Sequence, residues 1–422
     1  MNTVSKNIRM LLLVLGLTMW ASSAKALPGG TVYVCNSGDD TVSVISLSTL
    51  SVVANIAVGD GPEFVIVTPD GTKAYVANHL GNTISVIRTS TDSVIATIPV
   101  GTEPKQIAVS RDSQRVYVAN RGSSTISIID TASDTVLANV PTSRSSPVTL
   151  AFHPVRDEVW VGYNSGQSGG GAIEARSATD LSLLASHADN FIYYASCDLA
   201  FLPDGSEAYG AEGCGFCGRY NRISGTHANG SINIIQETIF ENNQGAALAA
   251  AVNPVSGRVY FAKQGQNGGP HRVVEFDRNA NPQIGRSVSF TAQPRDVAVT
   301  ADGQRLFVAN QATAGFVSVI DTTTFTTVAT VSVGNSPGGI AIKPNPLINV
   351  TIAVAEVQVS WNSISNETYR IEYKSALTAG AWAPLIECLR ATNTTTHIFD
   401  KIAPESPQRF YRVVLTNCVP LP

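Results

Sequence analysis

Three stretches set the period of this chain: "VYVCNSGDDTVSVIS" from Val32, "AYVANHLGNTISVIR" from Ala74 and "VYVANRGSSTISIID" from Val116, each starting 42 residues after the one before. Their aromatic anchors, Tyr33, Tyr75 and Tyr117, fall in step. Weaker copies follow in "VWVGYN" (Trp160), "AYGAEG" (Tyr209), "VYFAKQ" (Tyr260) and "LFVANQATAGFVSVID" (Phe307), which makes seven. A period of this length marks a repeat architecture in which each unit must stack on its neighbours to bury its faces.

Each unit reads as four short strands. In the second, "EFVIVTP" alternates and stops at Pro69-Asp70-Gly71, a tight-turn signal. "KAYVAN" follows, and Asn78 is expected to close its turn on its own backbone. "TISVIR" and "SVIATIPV" alternate with period two across a Thr/Ser/Asp turn. Four antiparallel strands per unit match a propeller blade. The first unit lacks the innermost strand that the others have, and "SPGGIAIKPNP", Ser336 to Pro346, looks like that missing strand. The expected fold is therefore all-β: a seven-bladed β-propeller over residues 27–346, closed by a C-terminal strand. The Asp-Gly turns at Asp70, Asp204 and Asp302 recur because turns recur.

The repeat "YVAN" with "TISIIDTASDTV" and "VGTEPKQIAVSRD" resembles the YVTN repeat of bacterial and archaeal surface-layer-type propellers. The resemblance implies an exported seven-bladed propeller and brings no shared catalytic set. After Pro346 the period stops. Trp361 at a strand end, the Tyr369–Tyr373 strand and a late "FYRVVL" resemble a fibronectin type III-like β-sandwich over residues 347–422.

The chain opens with Lys6 and Arg9, an apolar run of about 11 residues from Met10 to Trp20, and Ala24-Lys25-Ala26. That is the pattern of a secretory signal peptide over residues 1–26. The run is well short of the roughly 20 residues that span a bilayer, and no later segment reads as a span. Without Lys6, Arg9 and Lys25 the chain carries 25 basic against 32 acidic side chains, a formal charge of −7. No basic face exists to track a phosphate backbone, so nucleic-acid binding is excluded. The expected protein is exported, monomeric, and periplasmic, extracellular or cell-surface.

Six cysteines in an exported chain read first as disulfide candidates. Cys388 and Cys418 are expected to pair. Cys214 and Cys217 lie in "EGCGFCGRYNRISGTHANG" (Glu212 to Gly230), read as an expanded connection between the second and third strands of one blade. Cys197 begins the innermost strand of that blade, so a disulfide to Cys214 or Cys217 is expected. A zinc tetrahedron of Cys197, Cys214, Cys217 and His227 is the alternative, with His187 and His271 near the same face. Gly218 after the second Cys rules out c-type haem attachment. A helix to activate a redox pair is missing. No cofactor is otherwise expected. Cys35 replaces the Ala of the first YVAN and reads as a buried free thiol, or as the partner left over if one of Cys214 and Cys217 is unpaired.

Longer connections also appear at Asn164–Gly171, Ser186–Ser196 and Gln264–Pro270, all mapping to one face, where loops can vary on a fixed scaffold. Tyr193, Tyr194, Glu212, Arg219, Tyr220, Arg222, His227 and His271 are the candidate binding face, with Glu174, Arg176 and Asp189 nearby. No Gly-x-x-x-x-Gly-Lys-Ser/Thr phosphate loop and no His-Glu-x-x-His occurs. The leading reading is thus a scaffold that presents this face to a protein or glycan partner. The alternative is an enzyme or enzyme subunit working at the central funnel, as lactonase and dehydrogenase-associated propellers do.

Overall fold

The computed structural model describes residues 30–163, 172–188, 196–212, 219–239, 245–265, 269–279, 284–344, 348–353, 356–374, 381–401, 410–416 and 418. The chain divides into two compact units. Gly30–Ser46 with Leu50–Pro344 form the larger, and the smaller holds Asn345–Pro422. Every regular element among the described residues is a strand.

The larger unit is a seven-bladed propeller. Blade two shows the pattern: Pro62–Val67, Lys73–Asn78, Thr83–Arg88 and Ser93–Pro99 lie side by side from the axis outward. Blade one is built from both ends of the unit. Its innermost strand is Pro337–Ile342, paired antiparallel to Thr31–Asn36 with Val32 opposite Ile342 and Val34 opposite Ile340. The closing strand expected from the sequence is thus in place. Blades four and five also touch at their rims, where Ser186 pairs in parallel with Ser231.

The repeat motif has a physical basis. The Tyr of each early unit reaches into the next blade: Tyr33 donates to Asp92 (2.6 Å) and Tyr75 to Asp134 (2.8 Å). The Asn that ends the motif bonds across the blade instead of closing on its own backbone as expected. Its amide crosses to the third strand, where Asn78 Nδ2 donates to Thr83 (3.0 Å) and Ser85 (2.9 Å). Asn36 and Asn120 make the same two bonds to Thr41 and Ser43, and to Thr125 and Ser127. A backbone bond would fix only the turn. The side-chain bridge ties two strands, and it accounts for the Thr-x-Ser spacing that follows each YVAN.

Apolar faces meet between blades. Tyr75, Ala77 and Val86 of blade two pack on Ile107, Val116 and Val118 of blade three in one buried cluster, and equivalent clusters join blade one to blade two and each later blade to the next through blade seven. The Asp-Gly turns are turns: Asp70, Asp204 and Asp302 each accept the amide two residues on, from Thr72, Ser206 and Gln304.

The smaller unit is a sandwich of two three-stranded sheets. Ile348–Ala353, Glu356–Asn362 and Thr395–Lys401 form one; Ala383–Arg390, Thr368–Lys374 and Phe410–Thr416 form the other. Val359, Trp361, Tyr369 and Ile371 fill its core. The expected Cys388–Cys418 disulfide is formed, with a Cα–Cα distance of 5.8 Å.

Candidate functional site

The innermost strands carry one repeated irregularity. In blade after blade the ladder skips a residue near the strand's start: between Pro62 and Phe64, Pro104 and Gln106, Pro147 and Thr149, Ser196 and Asp198, Ala247 and Ala249, Pro294 and Asp296. A bulge re-aims side chains. Here two successive residues line the channel in four of these strands: Glu63 and Phe64, Lys105 and Gln106, Leu248 and Ala249, and Arg295 and Asp296. Val148 and Asp198 line it from the other two. The starts of these strands follow the interblade connections, so the ring lies at the channel mouth on the expanded-loop face.

A cavity of about 270 Å³ opens there. Its lining includes Glu63, Lys105, Gln106, Asp198, Arg295 and Asp296, with Phe64, Val148, Leu248 and the backbone of Gly338-Gly339 as its apolar part. The glycines are required by close approach: a Cβ on Gly339 would lie 2.7 Å from Phe64 Cα and 2.9 Å from Val65 N. The volume is just under the roughly 300–1,000 Å³ of drug-sized sites, so the cavity suits a small molecule.

In three blades the residue after the bulge staples neighbouring strands. Gln106 Oε1 accepts the Leu150 amide (2.9 Å), Asp198 Oδ2 accepts the Ala250 amide (2.9 Å), and Asp296 Oδ2 accepts the Ile340 amide of the closing strand (2.9 Å). Gln106 shows that a neutral amide is enough for this bond. Of the other matching positions, Phe64, Ala249 and Gly339 have no side-chain oxygen to offer, and Thr149 carries a neutral hydroxyl. Two carboxylates therefore exceed what the staple needs, and burying them carries an electrostatic cost.

That cost is visible in their protonation. Asp198 is pushed up by burial, against the Ala250 amide, the Gln106 amide and the Leu199 amide that favour its charged form. Asp296 is pushed up to about 8, first by burial and then by the charge of Asp198, with the Ile340 and Val297 amides opposing. Asp198 accepts three donors, since Gln106 Nε2 (2.7 Å) and Leu199 N (2.9 Å) share Oδ1. Asp296 accepts two backbone amides. Asp198 is thus the better-stabilised anion, and Asp296 holds the proton at neutral pH.

Above them the rim is basic. Lys105 Nζ contacts Glu63 Oε1, Arg295 lies 3.7 Å from the same oxygen, and His79 Nδ1 lies 3.6 Å from Oε2. Burial works to raise the Glu63 carboxyl, but Lys105, His79 and Arg295 outweigh it and hold it below its usual range. Cys35 is buried, as expected, behind the closing strand. Burial, then the charges of Asp296 and Glu63, keep it a thiol.

The residues singled out from the sequence fare differently. Tyr193, Tyr194, Asp189, Cys214 and Cys217 lie outside the described residues, as do the side chains of Glu212, Arg219 and Cys197. Tyr220 is a core residue: it is fully buried, stacked on Phe261 at 4.8 Å and edge-on to Phe276. Arg222 turns to Glu207, with Nε at 2.8 Å. His227 sits at the far end of the strand Arg219–Ala228, bound to Glu158 at 3.2 Å, on the opposite face of the propeller. The segment expected as loop is strand here, and it carries His227 away from the loop face. Glu174 and Arg176 form a buried network with Tyr163 rather than a rim. His187 bonds the Ile232 carbonyl on an outer strand. His271 does lie on the loop face, where its Nδ1 accepts the Gly265 amide at 3.0 Å. Among the described residues no three His, Cys, Asp or Glu side chains gather as a metal site.

Glu63, Lys105, Gln106, Asp198, Arg295 and Asp296 were missed. The available signal was an alignment of the inner strands "PEFVIV", "PKQIAV", "SCDLAF" and "PRDVAV", which puts charged residues in register at positions that are neutral in the other blades.

A family model described as "Lactonase, 7-bladed beta-propeller" matches residues 23–168. No curated protein matches. Among solved structures, hydrazine synthase of Kuenenia stuttgartiensis is similar at 14% identity and a TM-score of 0.59, over 71% of this chain and 92% of that one. A functionally unknown protein from Desulfotomaculum acetoxidans is similar at 16% identity and a TM-score of 0.62, over 75% of this chain and all of that one. The dihydro-heme d1 dehydrogenase NirN is similar at 16% identity and a TM-score of 0.51, over 75% of each chain. At these identities the structural likenesses speak to the propeller fold.

Proposed function

We propose that this chain is an exported, lactonase-like hydrolase that opens a small cyclic ester at the mouth of its central channel. The observation that carries the reading is the pair Asp198 and Asp296. They are two carboxyls lining one cavity, Asp296 buried and Asp198 half-buried, where Gln106 makes the same structural bond without a charge. Titratable pairs pushed apart in protonation mark acid and base roles.

The chemistry follows from that difference. Asp198 Oδ2 accepts one amide and keeps a lone pair, so it can take a proton from a water beside it. That water's oxygen bonds to the ester carbonyl carbon. The ring C–O bond then breaks, and the departing ring oxygen takes the proton of Asp296. The product is a hydroxy acid, whose own proton leaves to solvent at neutral pH, and the proton on Asp198 returns to Asp296. Charge that develops on the carbonyl oxygen faces the basic rim of Lys105 and Arg295, a favourable setting for an oxyanion.

The lactonase family match over the first blades supports this reading, and the Cys388–Cys418 disulfide supports export. The three-plus-three sheet arrangement of the C-terminal unit suits a reduced fibronectin type III-like sandwich. The scaffold reading is weaker, because Tyr220, Arg222 and His227 do not converge on the loop face. A pH-stat survey of four- to six-membered lactones tests the proposal. It should find ring opening above the uncatalysed rate, and a panel with no turnover would sink it.

A further inference from the structure

Three basic side chains at the rim converge on one carboxylate. Lys105 and Arg295 address Glu63 Oε1 and His79 addresses Oε2. Arg121 lines the same cavity, with the half-exposed Glu103 3.7 Å from it. The acids beneath do not balance this charge, since Asp198 is occupied by its own three donors. Arg295 is the informative member. Its side chain is 31% exposed in the cavity lining, it makes no hydrogen bond among the described residues, and its nearest carboxylate oxygen is 3.7 Å away. A guanidinium offers five donors in a planar fork that matches a carboxylate two at a time, and here that fork is unused.

We propose that Glu63 is a resident counter-ion in an anion subsite formed by Lys105, Arg295 and His79, and that a carboxylate-bearing ligand binds by displacing it. The remainder of the ligand then rests on Phe64, Val148 and Leu248, the apolar lining of the same cavity. The favoured ligand class is a small monocarboxylate with an apolar body. Glu63 offsets one positive charge of the cluster when the site is empty, and its competition weakens every anion that enters. Bidentate pairing to Arg295, which Glu63 does not make, gives the ligand its advantage. The subsite deepens the hydrolase reading and rests on it only for the reacting end of the ligand.

Calorimetric titration of the full chain with benzoate, and with benzamide as its neutral counterpart, tests this. Benzoate should bind and benzamide should bind at least about tenfold more weakly. Glu63→Gln should tighten benzoate about tenfold or more, and Arg295→Ala should weaken it by a similar factor, with neither change moving benzamide. Glu63→Asp, which keeps the charge but withdraws it by one methylene, should tighten benzoate in the same direction and serves if Glu63→Gln does not fold. Equal or weaker benzoate binding in the Glu63 variants, or unchanged binding in Arg295→Ala, would overturn the proposal. Turnover of neutral lactones without any benzoate binding removes the subsite and leaves the hydrolase. Benzoate binding without turnover of any lactone does the reverse.

Discussion

Replacing Asp296 by Asn should change how the stability of the propeller depends on pH. In the folded chain this carboxyl is held up to about 8 by burial and by the charge of Asp198, whereas an unfolded Asp ionises near pH 3.9. Between about pH 4 and about pH 8 the folded state binds one proton more than the unfolded state. Its contribution to stability is therefore whole below pH 4 and is lost as pH rises to about 8, at about 1.4 kcal/mol per unit. The loss totals on the order of 5 kcal/mol and levels off above pH 8. Asn cannot ionise, so it escapes this loss. It keeps one amide bond of the two that Asp296 accepts, from Val297 and Ile340, and gives up the other, worth about 1 kcal/mol. The variant should be near parity with the native chain at pH 5 and more stable by roughly 4 kcal/mol at pH 8. Urea unfolding of both proteins at pH 5, 6, 7, 8 and 9 reads this difference directly. Two parallel stability curves would mean that Asp296 is ionised throughout, and the acid role assigned to it would go with them.

Other perturbations have equally definite outcomes. Gly339→Ala puts a Cβ against the Phe64 and Val65 backbone, which no rotamer relieves, and should destabilise the propeller by about 1–3 kcal/mol in denaturant titration. Tyr75→Phe deletes the 2.8 Å bond to Asp134 and should cost about 1.5–3 kcal/mol at neutral pH, as for a hydrogen bond to a charged group. Serine at both Cys388 and Cys418 opens a closed loop with a sequence separation of 30. It should lower the stability of the C-terminal sandwich by about 3.5 kcal/mol on the chain-entropy account, seen as an earlier transition of that unit in calorimetry.

The fold could be read from the chain because its signals repeat. Tyr33, Tyr75 and Tyr117 fall in register, and the inner strand absent before Val32 reappears at Pro337. The site was harder to read because it is written across the repeats rather than within one. Asp198 and Asp296 lie 98 positions apart and meet only when the ring closes. Loop length drew attention to Glu212–Gly230 instead, and that segment hid the strand Arg219–Ala228. Ser224, Gly225 and Thr226 interrupt its apolar alternation, and the register shifts between Ile223 and His227. A Cβ on Gly225 would strike the Gly205 carbonyl, so the glycine there marks strands in close approach rather than a loop. Tyr220 was misplaced for the same reason, since an aromatic near a loop and an aromatic one step into the core look alike in sequence.

The central claim is that Asp198 and Asp296 act as base and acid at the channel mouth. Its most direct test is the pH dependence of kcat/KM for a lactone substrate in the native chain, Asp198→Asn and Asp296→Asn, each confirmed as folded by its unfolding transition. The native rate should fall as pH rises through about 8, where Asp296 gives up its proton. Asp198→Asn and Asp296→Asn should each lose about 10²–10⁴-fold, the usual worth of a general acid or base. Folded variants that keep native rates, with the native pH profile unmoved, would contradict the account.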